Sequence, residues 1–313
     1  MNRTEIAAVL AAAGLRPQRH FGQNFMVDQN LLRALVEAGG IRPADVILEV
    51  GPGVGNLTRL LAQAAPQGAV LAVDIDRKLL PAAQSHHAAL PNVTWLLCDV
   101  LAGKHAIEPQ VLAALDDLCA AHPGGDLKLV SNLPYNAASP LIAELLVEMW
   151  RQHSGKSNVK NQKSKIPFSR LTFTVQWEVA LRMAAPPGTR DFGPLGILIQ
   201  ALAHVEILRK IPPGAFWPPP KIHSALVAVT PDLQRLRRVA DAPQLQLFLA
   251  GIFAHRRQTL GNALKHHLRD RWTPALKEAL APFNLHARPE VFSVPELLAL
   301  AARCSDSAPG GGL

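Results

Sequence analysis

Leu48-Glu49-Val50-Gly51-Pro52-Gly53-Val54-Gly55-Asn56-Leu57-Thr58 is the stretch that decides the fold. An apolar run, Val46–Val50, leads into it, and an amphipathic segment, Leu57–Ala65, leaves it. A glycine turn between a strand and a helix lets the backbone bend tightly and approach a ligand closely. The pattern is G-x-G-x-G and lacks the glycine at the sixth position of the dinucleotide fingerprint. Glu49 has two readings. It pairs locally at the turn, or its carboxylate holds the ammonium group of a ligand.

Moving outward, short β-type runs alternate with helical ones. Val46–Val50, Ala69–Val73, Val93–Leu97, Leu127–Val130 and Leu171–Val175 read as strands. Leu57–Ala65, Lys78–Ala89, Pro109–Ala121 and Pro140–Trp150 read as the helices between them. This alternation predicts a parallel sheet covered on both faces, and the near-continuous apolar strands agree with burial on both sides. Val205–Ile211 and Ala225–Val229 read as two further strands, an antiparallel hairpin at the sheet edge. Asp74 ends the second strand, 23 positions after Gly51, where a carboxylate can accept both hydroxyl hydrogens of a ribose. Asp99 ends the third and can accept a hydrogen bond from an adenine amino group. With both acids at strand ends beside the glycine turn, the pattern predicts a site for an adenosyl group.

The fourth strand ends in Ser131-Asn132-Leu133-Pro134-Tyr135-Asn136. An adenine N6 amine is a poor nucleophile because its lone pair is delocalised into the ring. If the Asn132 side-chain oxygen and the Leu133 carbonyl accept its two hydrogens, the nitrogen can become more tetrahedral and attack a sulfonium methyl. Pro134 has no N–H and fixes its φ, which stiffens the turn. Tyr135, the chain's one tyrosine, can stack on the base, an interaction worth roughly 1–3 kcal/mol. Orientation and electrostatics then supply the catalysis, and no dedicated general base is needed. The plainer alternative is a Pro-containing turn capped by Asn132.

Length and composition set the frame. The chain has 313 residues, with 49% hydrophobic and 18% charged, which suits one large domain and a smaller one. No apolar run reaches the roughly 18 residues needed to span a bilayer. Ile6–Leu15 is apolar and follows Arg3, but Glu5 and a capping Thr4 favour an amphipathic helix over a secretory signal. Cys98, Cys119 and Cys304 are far apart and form no metal pattern; Cys98 reads as a buried small hydrophobe. Lys and Arg outnumber Asp and Glu by 32 to 24, and the pI is about 9.8. That balance favours a polyanionic partner. The boundaries read from the sequence are a sheet domain over 1–232, a helical domain over 233–304 and a disordered tail over 305–313. Within the first, residues 151–170 hold Arg151, Lys156, Lys160, Lys163, Lys165 and Arg170 with no acid, either as a solvated loop or as an arm on RNA phosphate.

Taken with four further blocks, these motifs resemble the rRNA adenine N6-dimethyltransferase family, most closely its bacterial small-subunit (16S) branch. His20-Phe21-Gly22-Gln23-Asn24-Phe25 is similar to its N-terminal cofactor-covering segment, and Gln176-Trp177-Glu178-Val179 to its element after strand five. Phe216-Trp217-Pro218-Pro219-Pro220-Lys221-Ile222-His223-Ser224 resembles its Phe-x-Pro-x-Pro-Lys-Val-x-Ser signature. Phe253-Ala254-His255-Arg256-Arg257-Gln258-Thr259-Leu260 resembles the basic helix of its C-terminal domain.

The resemblance implies an α/β, Rossmann-like, seven-stranded SAM-dependent methyltransferase fold with a small C-terminal all-α domain that binds RNA. It implies S-adenosyl-L-methionine as cofactor, and N6,N6-dimethylation of two adjacent adenosines in the 3′-terminal hairpin loop of 16S rRNA, coupled to 30S maturation. The cofactor contacts implied or read are Asn24, Met26, Glu49, Gly51, Gly53, Asp74, Ile75, Asp99, Val100 and Asn132; Asn132, Leu133, Pro134 and Tyr135 form the target-base site. Phe216 either packs on the flipped base or is a core aromatic anchoring a Pro-rich turn. Lys221, Arg256, Arg257, Lys156, Lys160, Lys163 and Lys165 are the expected RNA contacts. The expected setting is a cytoplasmic monomer on 16S rRNA or the pre-30S subunit, with no metal and no membrane.

Four features depart from the resembled pattern. Asp74 replaces the commoner Glu, and Trp177 stands where a Lys is frequent. Phe192-Gly193-Pro194-Leu195-Gly196 lacks a basic residue after the glycine, and the basic insertion is longer than usual. Rival readings are a 23S rRNA adenine methyltransferase of the macrolide-resistance type, a mainly non-catalytic ribosome-assembly factor, a mitochondrial transcription-factor relative and, more distantly, a dehydrogenase.

Overall fold

The computed structural model describes residues 1–17, 23–103, 106–155 and 167–306. Two compact units emerge: residues 1–180 with 205–231, and residues 181–204 with the C-terminal residues from 232. The sequence reading put 181–204 with the sheet; the structure groups this stretch with the helices.

The strands in chain order are β1 (Phe25–Met26), β2 (Val46–Val50), β3 (Ala69–Asp74), β4 (Val93–Leu97), β5 (Leu127–Asn132), β6 (Phe168–Gln176), β7 (Ala203–Ile211), β8 (Phe216–Trp217) and β9 (Ser224–Pro231). Seven of them form one sheet in the order β4-β3-β2-β5-β6-β9-β7. β2 pairs with β3 and β5, β3 with β4, and β5 with β6, all parallel. β9 runs antiparallel to β6 and lies between β6 and β7. Of the two strands expected at the edge, only β7 is there; β9 is interior, and its apolar Ala225–Val229 stretch is buried throughout.

All five residues of β2 are buried, as a central parallel strand requires, whereas edge strand β4 is half-exposed. The strand order reverses at β2 and β5, which makes their carboxyl ends the switch point of the sheet. At the opposite ends, Lys128 Nζ donates to Asp45 Oδ2 at 2.6 Å, and the Asp126 amide donates to Asp45 Oδ1 at 2.8 Å. The buried carboxylate thereby ties the entrances of β2 and β5 together.

Helices α1 (Arg3–Ala12), α2 (Gln29–Ala38), α3 (Asn56–Ala64), α4 (Leu79–His86), α5 (Pro109–Ala121) and α6 (Tyr135–Ser154) belong to the sheet unit. The first forms where an amphipathic helix is expected, but its cap is Asn2 rather than Thr4, in a reciprocal capping box with Glu5. Asp28 caps α2 by accepting from the Asn30 and Leu31 amides. Ile6 and Leu10 of α1 pack with Phe25, Val54 and Leu79 in a small apolar cluster. Helix α7 (Trp177–Ala184) carries the chain from one unit into the other.

The second unit contains α8 (Pro194–Leu202), α9 (Leu233–Arg238), α10 (Ala242–Ala254), α11 (Leu260–Leu268), α12 (Pro274–Ala279) and α13 (Val294–Asp306). Arg235 Nη1 donates to the Gln200 and Ala203 carbonyls at 3.0 and 2.7 Å, pinning α9 to the end of α8. Ser305 and Asp306, read as tail, belong to α13.

Most of the basic insertion lies outside the described residues, and with it Lys156, Lys160, Lys163 and Lys165. Its two ends are structural. Arg151 pairs with Glu148 at 3.6 Å on α6, and Arg170 in β6 donates to the Ala38 carbonyl at 2.7 Å and to Thr230 at 3.1 Å. Neither fits a free arm on phosphate.

Candidate active site

A cavity of about 260 Å³ opens at the carboxyl ends of β2, β3 and β5. The glycine turn forms one wall and the Asn132–Tyr135 turn another. They touch. Gly51 sits at φ 71°, and a Cβ placed there would lie 2.8 Å from Pro134 Cγ. Gly51 is required both for its left-handed backbone and for this close approach. Ser131 Oγ reinforces the junction by donating to the Val50 carbonyl at 2.6 Å.

Glu49 is fully buried at the cavity floor. Burial lifts its carboxyl to about 8; the adjacent Thr58 hydroxyl opposes the shift, and the charge of Asp74 adds to it. Even so, neither Glu49 Oε2 nor Thr58 Oγ1 has a hydrogen-bond partner of sound geometry. A buried carboxyl oxygen that faces a cavity without a hydrogen-bond partner is costly unless a ligand supplies a donor.

Asp74 closes β3 and is also mostly buried. Burial raises its pKa, although the Asp76 amide donates to Oδ1 at 2.9 Å. Ile75 presents an apolar side chain 53% exposed beside it, as a flat heterocycle requires. Asp99 lines the same end, its Oδ1 accepting from the Leu101 amide at 3.0 Å. Cys98, expected as a buried hydrophobe, is half-buried and lines the cavity; burial pushes its thiol up to about 11, so it stays protonated.

The N-terminal segment spans the cavity. Gln23 Nε2 donates to Asp76 Oδ2 at 2.9 Å at one end, and the Asn24 carbonyl accepts from Asn132 Nδ2 at 3.1 Å at the other. Between them, Phe25 packs against Gly53, where a Cβ would fall 2.9 Å from its ring. Antiparallel pairing of β1 with β8 fixes this crossing, with Phe25 opposite Trp217 and Met26 opposite Phe216.

Asn132 is held on both sides of its amide. Thr174 Oγ1 donates to Asn132 Oδ1, while Nδ2 is held by Asn24. The oxygen keeps a second lone pair for another donor. Tyr135 opens α6 and its hydroxyl bonds Ser224 Oγ at 2.5 Å. Burial raises the phenol's pKa, and the Ser224 hydrogen bond opposes that.

One cavity thus gathers a buried carboxyl with an unsatisfied oxygen, two acidic strand ends, and an amide held in place beside an aromatic ring. The family model for ribosomal RNA adenine dimethylase matches residues 14–287. The chain belongs to the ribosomal RNA adenine dimethylase family.

Among relatives of this dimethylase, the ribosomal RNA small subunit methyltransferase A of Alkaliphilus metalliredigens is 32% identical over 296 residues, covering 94% of this chain and 93% of that protein. The protein of the same name from Rubrobacter xylanophilus is 37% identical over 297 residues, covering 93% and 96%. A dimethyladenosine transferase from Plasmodium falciparum shares the fold with TM-score 0.66 and 20% identity, covering 90% of this chain and 98% of that one. The 23S rRNA methyltransferase ErmE shares it with TM-score 0.54 and 21% identity, covering 90% and 100%.

The dimethylase uses S-adenosylmethionine, and the acceptors that line the cavity fit its ammonium, hydroxyl and amino groups. Glu49 would take the ammonium, Asp74 the ribose hydroxyls, and Ile75, Asp99 and Val100 the adenine. Asn24, Met26, Gly51, Gly53, Asn132, Leu133, Pro134 and Tyr135 line the same cavity. Phe216 does not. It is 3% exposed and packs in the core with Met26, Leu32, Ile47 and Leu226, so its placement supports the anchoring alternative rather than contact with a target base. Lys221 is exposed in the loop before β9. Arg256 and Arg257 lie in the connection between α10 and α11, not on a helix, and Arg256 Nη2 donates to the Arg190 carbonyl at 2.7 Å. Among the described residues, no cluster of His, Cys, Asp or Glu could hold a metal, and no helix is long and apolar enough to cross a membrane.

Sequence reasoning missed Thr58, Thr174 and Ser224 as partners of the site. Thr174 sits opposite Asn132 across the β5–β6 ladder, a pairing that no local motif announces. Ser224 stood inside a quoted motif, but its bond to Tyr135 needs β9 to enter the sheet.

Proposed function

We propose that this dimethylase converts two adjacent adenosines in the 3′-terminal hairpin loop of 16S rRNA to N6,N6-dimethyladenosine during 30S maturation, as a cytoplasmic monomer. The observation that carries the reading is the contact of the Gly51 turn with the Asn132–Tyr135 turn, which joins the cofactor cavity to the target-base site. Relatives spanning nearly the whole chain, and named for the small subunit, support 16S over 23S rRNA.

S-adenosylmethionine supplies an electrophilic methyl group. The protein supplies position and electrostatics. Asn132, held by Thr174 and Asn24, offers its remaining oxygen lone pair to one N6 hydrogen, and the Leu133 carbonyl takes the other. That withdraws the nitrogen lone pair from the purine and aims it at the methyl; the N–C bond would form as the sulfonium S–C bond breaks, and the proton lost from N6 would go to solvent. Tyr135 stacks on the base, its ring fixed through Ser224. Two methyls per base require the monomethyl product to stay in place or return. A base inside a duplex cannot reach this cavity, so the target comes from a loop or is flipped out.

Transfer of labelled methyl to 30S particles lacking the modification, with 50S-derived 23S rRNA in parallel, tests the assignment. Label in 16S rRNA alone is expected. Label in 23S rRNA would move the chain to the macrolide-resistance activity, and label in neither, with the particle still bound, to an assembly role.

A further inference from the structure

One aromatic residue, linked to Tyr135 through Ser224 and the end of β6, has no role in the transfer itself. β6 passes Thr174, which holds Asn132, and ends at Gln176, which is opposite Ser224, the partner of Tyr135. The next residue is Trp177. Its amide donates to the His223 carbonyl at 3.0 Å, which fixes it to the loop that delivers Ser224. The indole is half-buried, with Lys210 Nζ 4.8 Å from its ring centroid. Lys210 is exposed, as are Lys221, Ile222 and His223 in the loop that the Trp177 amide holds, and Glu178 is the exposed acid that follows on α7. An accessible indole among cations is what single-stranded nucleic acid takes: the ring stacks on a base of any sequence, and the cations meet the backbone.

We propose that Trp177 is the stacking platform for the nucleotide next to the target adenosine, with Lys210 and Lys221 meeting the phosphates on either side of it. This rests on the Tyr135 turn being the target-base site. A single-stranded loop whose target base is drawn into the cavity loses stacking with its neighbour, and Trp177, one residue beyond the strand partner of Ser224, supplies the replacement. The residue therefore sets substrate affinity and position and takes no part in the transfer. In a substrate of two adjacent adenosines, the platform holds one while the other reacts.

The test is single-turnover methyl transfer to 30S particles reconstituted with 16S rRNA that carries an abasic nucleotide immediately 5′ or immediately 3′ of the target. On intact RNA, Trp177→Ala is expected to raise the half-saturating particle concentration roughly 5- to 150-fold, the range of one base–aromatic stack, with the maximal rate unchanged. With the abasic nucleotide on the side that the platform serves, wild type and variant should coincide. Trp177→Lys installs the residue frequent at this position in the resembled family; it keeps the fold if alanine does not, and should lose the same sensitivity. Equal penalties on intact and abasic RNA, or no penalty at all, would overturn the proposal by leaving Trp177 a structural residue or an idle one. A wild-type protein that methylates no 30S particle overturns the underlying function as well. A methylating wild type with an insensitive Trp177 overturns only the platform.

Discussion

Glu49 keeps a carboxyl with a pKa of about 8 in a place where one oxygen has no hydrogen-bond partner. Its unfolded value is the ordinary carboxylate one. Between the two, the folded protein holds a proton that the unfolded chain has released, so this group's contribution is complete below the ordinary pKa and is lost as pH rises through about 8. Ligand-free wild type should therefore lose melting temperature from about pH 5 to about pH 8.5 relative to Glu49→Gln, a difference on the order of a few kcal/mol. Parallel melting curves for the two proteins would contradict the burial argument. An ammonium at Glu49 favours the ionised form, so S-adenosylmethionine binding near pH 7 should release a proton. Calorimetry in buffers of different ionisation heat reads that release, and Glu49→Gln should abolish it.

Thr174 gives a second residue-scale outcome. Thr174→Val removes the donor to Asn132 Oδ1 at nearly constant volume. The loss of one orienting hydrogen bond should lower kcat about tenfold, with KM for RNA little changed and activity restored by Thr174→Ser. A KM effect with unchanged kcat would make Thr174 a binding residue instead. Glu49, Asp74 and Asn132 were legible in the sequence because each sits at the end of an apolar run beside a turn. Thr174 was not, because its role exists only once β5 and β6 lie in register, with the two residues far apart in the chain.

The glycine turn and the β5–α6 turn work as a pair of elements. Gly51→Ala imposes about 1–2 kcal/mol for the left-handed backbone, and its methyl would also press on Pro134 Cγ, 2.8 Å away. We expect a lowered melting temperature and loss of calorimetrically detectable S-adenosylmethionine binding. Affinity within threefold of wild type would mean that the turns are not a shared wall. β2, β3 and β5 could be read to within two residues, because burial on both faces leaves an unbroken apolar run bounded by turn residues, whereas β6 begins three residues before the expected Leu171. Helix α6 was less legible. Pro140 reads as a helix start, yet the helix begins at Tyr135 and runs through it. A proline this close to the N-terminus forfeits one bond, to the Asn136 carbonyl, and the buried face from Ala138 to Trp150 offsets that. β9 was misplaced for a different reason: its apolar pattern shows that it is buried, but not which strands flank it.

At the scale of the molecule, a net charge of +8 provides attraction to RNA. The residues that convert it into contacts must be exposed, and the structure separates these from structural cations. Arg170 and Arg151 are engaged within the sheet unit, whereas Arg257 is exposed in the α10–α11 connection. Arg256→Ala with Arg257→Ala should weaken binding to pre-30S particles and flatten the salt dependence by roughly one to two in log–log slope, with single-turnover methylation at saturation near wild type. An unchanged slope would remove these arginines from the RNA contact. The unit boundary was only partly legible: composition changes near Thr230, but nothing local marks Leu181–His204 as belonging with the helices. In the proposed reaction the Asn132 amide acts on an adenine amine beside the cofactor cavity. Mass spectrometry of the 3′ fragment of 16S rRNA, after unmodified 30S particles are incubated with S-adenosylmethionine and either wild type or Asn132→Ala, tests it most directly. The account predicts two adjacent dimethyladenosines with wild type and unmodified adenosines with the variant; dimethyladenosine formed by Asn132→Ala at the wild-type rate would contradict it.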